Sequence, residues 1–462
     1  MDNARGRRSV PYGNGPCFAD NVAVSATSRL ARTRAIRHGR RVTGSDDRSG
    51  PTRRTLLAML PALAVGGCGA AAGVSPLRVW AMSYQGDYSP HLMPDFTAAT
   101  GIPVDVQSLP TTASHEKLLT AHAGNALPDV LMLFNGWIRE FAMIGAVAPV
   151  PSPALVAGLF PGVRDPLRID GVDYAVPWSV APQVQYYRRD IVQAAGYATP
   201  PLDWAGWLAM GRAIKRRRPD EYVFLMLLNW PGALLTMMTQ AGATMLRDRA
   251  TRGNFRSDPV RHAFAFYAQL FAEGLAPRAL STEVQDPLAS FAQGYFAIWP
   301  SSPTTLLDLR RRANEIPPER WGTARLAGPN GPGPVSSDSA SLCVATSTTR
   351  PAAAWALVRH MTSRASELKF QRMIGDLPAR IDAWDSPQLA LPVLAAFREQ
   401  LAQPAPIPPA VEWERIQAEI QLAAERVVRG IQTIEEALTA LDMRVDRLLA
   451  QRRALVEAGR IA

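Results

Sequence analysis

Between residues 77 and 145, apolar runs of five or six residues alternate with longer stretches whose apolar positions recur every three or four residues. The run Leu77–Met82, the alternating stretch 102–109 and the unbroken Val130-Leu131-Met132-Leu133-Phe134 read as strands, the last buried on both faces. Between and after them, 90–100 (stopped by Gly101), 112–126 and 137–144 (stopped by Gly145) read as helices. Strand and helix alternating at this spacing predict crossover units and a largely parallel sheet. Ligands of such open sheets bind outside the carboxyl ends of the strands. That puts Trp80-Ala81-Met82-Ser83-Tyr84 and Phe134-Asn135-Gly136-Trp137 at the mouth of a site.

After Pro200-Pro201 the pattern becomes more helical, with helices expected at 204–217, 234–241, 260–274 and 288–293 and strand-like pieces at 222–228 and 295–299. The Pro/Gly-rich stretch 328–334 predicts a boundary or hinge before a strand at 341–345. The last stretch, 413–455, repeats apolar residues at helical spacing (Ile434, Leu438, Leu441, Val445, Leu448) with a break near Gly430. The break favours short helices packed on a lobe over a coiled coil.

A different pattern precedes residue 77. Arg53-Arg54 leads into a mostly apolar stretch of about a dozen residues, short of the roughly 20 that a bilayer span needs, and it ends in Val65-Gly66-Gly67-Cys68. That ending resembles a bacterial lipobox, where the signal peptide is cut and the cysteine acylated, and Arg53-Arg54-Thr55-Leu56-Leu57 resembles a loose twin-arginine signal. On this reading 51–68 is a lipoprotein signal peptide with Cys68 as its lipidation site. The mature protein is then anchored by lipid to the cell membrane, on its periplasmic or extracytoplasmic face. A short buried helix or a mistranslated leader is the alternative for this stretch. Residues 1–50, rich in Arg, Ser and Gly without apolar periodicity, predict no fold. Because they precede a signal that normally opens a chain, the expected true start lies nearer Val42.

This division changes the meaning of the charge. The chain carries +10, but residues 1–68 hold twelve Arg, no Lys and four Asp; the remainder has 50 − 12 = 38 basic and 40 − 4 = 36 acidic residues, about +2. The basic excess sits in the leader, so no nucleic-acid partner is expected. Beyond Cys17 and Cys68 there is only Cys343, in an apolar run, which leaves no internal disulfide and no cysteine-built zinc site. His115 and His122 lie seven apart beside Glu116, without metal-ligand spacing, and read as surface helix residues; neither metal nor cofactor is expected. Ser366-Glu367-Leu368-Lys369 fits the S-x-x-K pattern of penicillin-recognising enzymes, but its place in the chain is wrong and no K-T-G follows. It reads as one exposed helix face. Lys215-Arg216-Arg217-Arg218-Pro219 reads as the charged end of a helix.

Several separated segments then form an ordered set. They are Leu127-Pro128-Asp129-Val130 with Gly145-Ala146-Val147-Ala148-Pro149-Val150; Gly171-Val172-Asp173-Tyr174-Ala175-Val176-Pro177-Trp178 with Gln185-Tyr186-Tyr187-Arg188-Arg189-Asp190; Pro201-Leu202-Asp203-Trp204; Phe291-Ala292-Gln293-Gly294-Tyr295-Phe296-Ala297-Ile298; Leu377-Pro378-Ala379-Arg380; and Gln432-Thr433-Ile434-Glu435-Glu436-Ala437-Leu438. This set, running from about Leu77 to the C-terminus, resembles the family 1 extracellular solute-binding proteins of ABC importers, the maltodextrin-binding-protein-like group. Arg188 stands where that family usually has Asn, so no polar role is carried over to it. The resemblance implies an α/β, two-lobe periplasmic-binding-protein fold of type II, with a hinge between the lobes and a ligand cleft at their interface. The first lobe would take 77–180 plus 336–361, and the second 181–335 plus 362–462 with the C-terminal helices. It also implies a monomer whose closed, ligand-bound form is recognised by the transmembrane subunits of an ABC permease.

The aromatic residues point to the ligand. Sugar rings pair an apolar face with a rim of hydroxyls and so suit aromatic platforms flanked by hydrogen-bonding groups. Trp80, Tyr84, Phe134, Trp137, Trp178, Trp230 and Trp299 lie at expected strand ends or loops, where each faces either cleft or core. Trp204, Trp207, Trp355 and Trp413 lie on helices and are assigned to the core. The polar candidates are Asn135, Asp338 (with a loop role before a strand as its alternative) and Arg380. Arg380 matches an arginine that in relatives often reaches the ligand, and would pair with a sugar hydroxyl or, bidentately, with a phosphate or carboxylate. The expected function is capture of a mono- or oligosaccharide for import, without catalysis. The alternatives are the same role for a phosphorylated ligand such as a glycerophosphodiester, or a secreted carbohydrate-active hydrolase with paired carboxylates, whose spacing no motif fixes.

Overall fold

The computed structural model describes residues 74–335, 339–403, 405 and 407–460. The expectations for residues 1–73, including Cys68, and for Asp338 fall outside the described residues. The strands are β1 (Leu77–Met82), β2 (Val104–Leu109), β3 (Val130–Phe134), β4 (Val176–Val180), β5 (Val184–Arg188), β6 (Leu246–Arg247), β7 (Arg252–Gly253), β8 (Ile298–Ser301), β9 (Trp321–Ala324), β10 (Ala340–Val344) and β11 (Leu377–Pro378). A six-stranded sheet in the order β11-β4-β10-β3-β1-β2 centres the first lobe. A three-stranded sheet, β8-β5-β9, and the β6-β7 hairpin belong to the second.

In the first sheet, β1 pairs in parallel with β2 and β3, as the crossover rhythm predicts. The other half is antiparallel: β10 runs against β3 and β4, and β11 against β4. The expectation of a largely parallel sheet is therefore corrected to a mixed one. The reason is topological, because β10 re-enters from the second lobe rather than through a helical crossover on the first. Val130, Leu131, Met132 and Leu133 are fully buried, which accounts for the unbroken apolar run of β3.

The expected helix at 90–100 is a tight turn Ser89–Leu92 and a helix Met93–Thr100, preceded by a helix Ser83–Tyr88 that the sequence reading did not include. Gly101 ends it at φ 72°, a left-handed conformation that glycine adopts at little cost. The stretch 222–228 is not a strand. Val223 and Phe224 are fully buried, but the backbone bonds of the stretch divide between Leu275 and residues 295–298, and only Phe224 forms a bridge, to Ile298, so no regular ladder results. In the second lobe the helix Trp204–Arg217 is capped by Asp203, which accepts from Gly206 N, and Trp204 stacks on Phe266 at 4.3 Å. The C-terminal stretch forms helices Trp413–Val428, Ile434–Leu448 and Ala450–Glu457, the second opened by a Thr433–Glu436 capping box. Asp446 and Asp442 accept from Gly253 N and Phe255 N, which ties these helices to the β6-β7 hairpin.

After Met361 the chain stays on the first lobe, further than the boundary expected from sequence. Leu377 and Pro378 pair with β4, and Phe370 stacks on Trp178 at 4.5 Å. The return to the second lobe comes near Leu391: the helix Pro392–Leu401 packs on β5 and β9, with Phe397 against Tyr186 and Thr323 Oγ1 donating to Val393 O. The helix Arg364–Ile374 also corrects the exposed face expected at Ser366–Lys369: Ser366 and Glu367 are buried, and Lys369 pairs with Asp95.

Candidate functional site

One of the links between the two sheets is the three residues between β4 and β5, Ala181-Pro182-Gln183, and these line a cavity of about 700 Å³. Its first-lobe wall comes from the carboxyl ends of β1 (Ser83, Tyr84, Gln85) and β3 (Phe134 to Trp137) and from Asp376 before β11; Trp230, Trp299, Trp413 and Gln417 face it from the second lobe. Ser83 sits at φ 52°, an uncommon conformation for a non-glycine residue, where β1 turns directly into a helix at the cleft. A Cβ on Gly136 would lie 3.3 Å from Glu414 Oε1, so the first lobe leaves room for that side chain by having none of its own there.

Of the residues singled out in the sequence, Tyr84, Phe134, Asn135, Trp137, Trp230 and Trp299 meet around this cavity. Tyr84 and Trp230 are 60% and 53% exposed, unusually high for such large rings. Trp137 is buried against Phe134 and His115, both edge-on, and His115 Nε2 lies 2.7 Å from Glu140 Oε2. Asn135 Oδ1 accepts from Ser341 Oγ at 2.8 Å, which fixes its amide at the rim. Gly232 brings Trp230 and the crossing segment together: a Cβ there would lie 2.8 Å from Trp230 Nε1 and 3.2 Å from Gln183 Nε2.

The structure places three candidates elsewhere. Trp80 is not among the lining residues. The alternation of β1 turns Leu77, Val79 and Ala81 inward, while Trp80 lies beneath Lys117 Nζ, 4.6 Å from its ring. Trp178 is 1% exposed, stacked on Phe370 in the core. Arg380 also lies outside the lining; both arms of its guanidinium engage Asp382, at 2.9 and 3.0 Å. That hydrogen bond raises the pKa of Arg380 and lowers that of Asp382. Nearby Glu367 accepts from Arg380 N through one oxygen, and burial pushes its carboxyl well above the usual range.

Several lining residues were not singled out from sequence: Gln85, Gln183, Asp376, Glu414 and Gln417, while Trp413 had been assigned to the core. Trp413 is buried yet reaches the cavity because it opens its helix. Its place at a helix end, rather than mid-face, was the available signal. Asp376 follows Gly375, held at φ 87°, in the short link from helix to β11. Asp376 and Glu414 are the charged side chains of the lining, and no Lys, Arg or His lines it among the described residues. No cluster of potential metal ligands occurs among the described residues either.

Two α/β lobes joined by short crossings, with a ligand-sized cavity between them, define a two-lobe binding protein that closes on a small solute. Residues 91–395 match the bacterial extracellular solute-binding proteins, and the chain belongs to that family, whose members work outside the cytoplasm. The sugar-binding protein MalE from the phytopathogen Xanthomonas citri is 38% identical, with 83% of this chain and 99% of that one covered and a TM-score of 0.79. The GacH receptor of Streptomyces glaucescens, solved unliganded and with acarbose, has the same fold at 20% identity, covering 82% and 99% of the two chains at a TM-score of 0.71. A mannitol-binding protein of Pseudomonas aeruginosa is 28% identical over 172 residues, 36% of this chain and 38% of that one, so the match spans well under half of that relative. No helix among the described residues is long and apolar enough to cross a membrane.

Proposed function

We propose that this protein captures a carbohydrate, a mono- or oligosaccharide, by closing its lobes on it, and delivers it to an ABC permease without catalysing any reaction. The observation that carries this reading is the presence of broad aromatic faces, Tyr84 and Trp230 above all, left exposed inside a cavity of about 700 Å³. Such faces suit the apolar side of a pyranose, and the amides of Gln85, Asn135, Gln183 and Gln417 supply partners for its hydroxyls. Contact with both lobes is what would make closure favourable, since a ligand shifts an equilibrium only by its differential affinity for the two states. Cys68 would anchor the protein to the membrane by lipid, beside the permease it serves. The phosphorylated alternative rested on Arg380, whose guanidinium is committed to Asp382.

Tryptophan fluorescence and melting temperature, followed against neutral mono- and oligosaccharides, glycerophosphodiesters and polyamines, test this reading. Micromolar binding corresponds to about −8 kcal/mol, and a hundredfold excess over Kd stabilises the fold by about 2.7 kcal/mol. A neutral sugar should quench or shift the emission and raise the melting point without being converted. Turnover of that sugar would overturn the non-catalytic assignment, and silence with every sugar would overturn the carbohydrate assignment.

A further inference from the structure

The two lobes give the cavity different walls, and the difference narrows the carbohydrate reading on which this inference rests. Of the ten Leu, Ile, Val and Met side chains that line the cavity, only Val163 and Val180 belong to the first lobe. On the second lobe three segments meet around Gly333: a Cβ on it would lie 3.2 Å from Gln240 Cγ, and its carbonyl accepts from Gln400 Nε2 at 2.7 Å. The helix Gly232–Gln240, the link 328–335 and the helix Pro392–Leu401 are thereby packed together. They bring Leu235, Thr239, Val335 and Leu401 to the cavity, with Met245 and Ile407 beside them. The polar groups of this wall are already engaged within the protein. Thr239 Oγ1 donates to Leu235 O at 2.9 Å, so its methyl is what it has left to offer. Gln400 is 1% exposed, and Gln403 Oε1 accepts from Arg325. A sugar ring laid against such a wall would give up the water on its hydroxyls and gain no partners for them, which is costly. An apolar group gains with each methylene it buries there. No Lys, Arg or His lines the cavity among the described residues, so nothing holds the head of a fatty acid or an alkyl phosphate.

We propose that this wall is an aglycone subsite. The cavity takes a neutral glycoside whose sugar lies among Tyr84, Asn135, Gln183 and Trp230, and whose apolar substituent lies along Leu235, Thr239, Val335, Leu401 and Ile407.

The test is equilibrium binding of the purified protein to methyl, butyl and hexyl glycosides of glucose, galactose, mannose and maltose, each below its micellar concentration. Affinity should rise about two- to fourfold per added methylene, so a hexyl glycoside should bind roughly 30-fold or more tightly than its methyl parent. Ile407→Asn should remove most of that gain, whereas a merely structural lesion would weaken the methyl and hexyl glycosides by the same factor and leave their ratio unchanged. If that variant does not fold, Thr239→Asn decides by the same ratio. A hexyl glycoside bound within about threefold of its methyl parent overturns the aglycone subsite while sugar capture stands. Hexan-1-ol bound as tightly as the hexyl glycoside also overturns it, because the wall would then take a chain without a sugar. Absence of binding to every glycoside of the series and every saccharide of the wider panel removes the carbohydrate reading and this inference with it.

Discussion

Gly232→Ala separates a binding surface from a packing contact. Gly232 opens the helix Gly232–Gln240, and a Cβ on it would lie 2.8 Å from Trp230 Nε1, 3.1 Å from Trp230 Cδ1 and 3.2 Å from Gln183 Nε2. A Cβ essentially never sits within 3.0 Å of a non-bonded atom, so the indole must swing aside. Because Trp230 is 53% exposed, that movement forfeits little buried surface. Alanine also favours the helix over glycine, by up to about 1 kcal/mol at interior positions and less at this first one. The melting temperature should therefore move by no more than about 3 °C in either direction. Affinity should respond differently. An aromatic contact is worth about 0.5 to 1.5 kcal/mol beyond its buried area, so its displacement should raise Kd by roughly two- to tenfold. The assay is thermal unfolding alongside titration with the best sugar of the panel. Trp230→Ala should cost at least as much affinity, and the double variant little more than the worse single one, because both remove the same surface. An unchanged Kd in a folded Gly232→Ala protein would refute the platform, and a fall of many degrees would show that Trp230 is packing rather than waiting for a ligand.

Other outcomes follow from the buried charges and the leader. Arg188 is 3% exposed, with Nε and Nη2 on Asp190 and Nη1 on the carbonyls of Phe291 and Ala292, so Arg188→Ala should lose about 3 to 5 kcal/mol in urea unfolding; a loss under about 1 kcal/mol would contradict that role. Burial pushes Asp190 up, but the hydrogen bonds from Arg188 and Arg320 outweigh it and hold the carboxyl at about 2. Its folded pKa lies below its unfolded one, so it contributes stability above about pH 4 that is lost as the pH falls toward 2. Without Arg188 the folded pKa of Asp190 moves back toward the unfolded one, so the loss of stability between about pH 4 and pH 2 should shrink. Glu367 has the opposite sign: burial raises its folded pKa, so its contribution is complete below about pH 4.5 and is lost as the pH rises through the folded value. Glu367→Gln should flatten that decline and melt above the wild type at pH 7.5, and parallel pH profiles would count against it. Cys68→Ser should move the protein from the membrane fraction to the soluble one; retention at the membrane would exclude the lipid anchor.

The division between what was legible in the sequence and what was not follows the range of the interactions. β1, β3 and the helix Trp204–Arg217 were legible residue by residue, because their apolar periodicity and local stop or cap residues are properties of neighbours in the chain. The same held for the strand ends that carry Tyr84 and Phe134 to Trp137 to the cleft. The stretch 222–228 misled because a buried segment whose backbone bonds divide between Leu275 and residues 295–298 is as apolar as a regular strand, and periodicity does not tell the two apart. Trp80 and Trp178 misled because lying near the end of a strand does not decide which way a ring points.

By itself, then, the sequence determined the alternation of elements, the near-neutral charge of residues 69–462 and an aromatic supply suited to a sugar. Tertiary structure alone decided the antiparallel return of β10, the hold of the first lobe on the chain as far as β11, the engagement of Arg380 with Asp382 and the convergence of Gln85, Ser179 and Asp376. Gln85 and Asp376 stand 291 positions apart, and their hydrogen bond exists only once three separate segments have packed on one wall. Local periodicity is written in each segment. The pairing of distant polar groups is set by how the lobes close their cores.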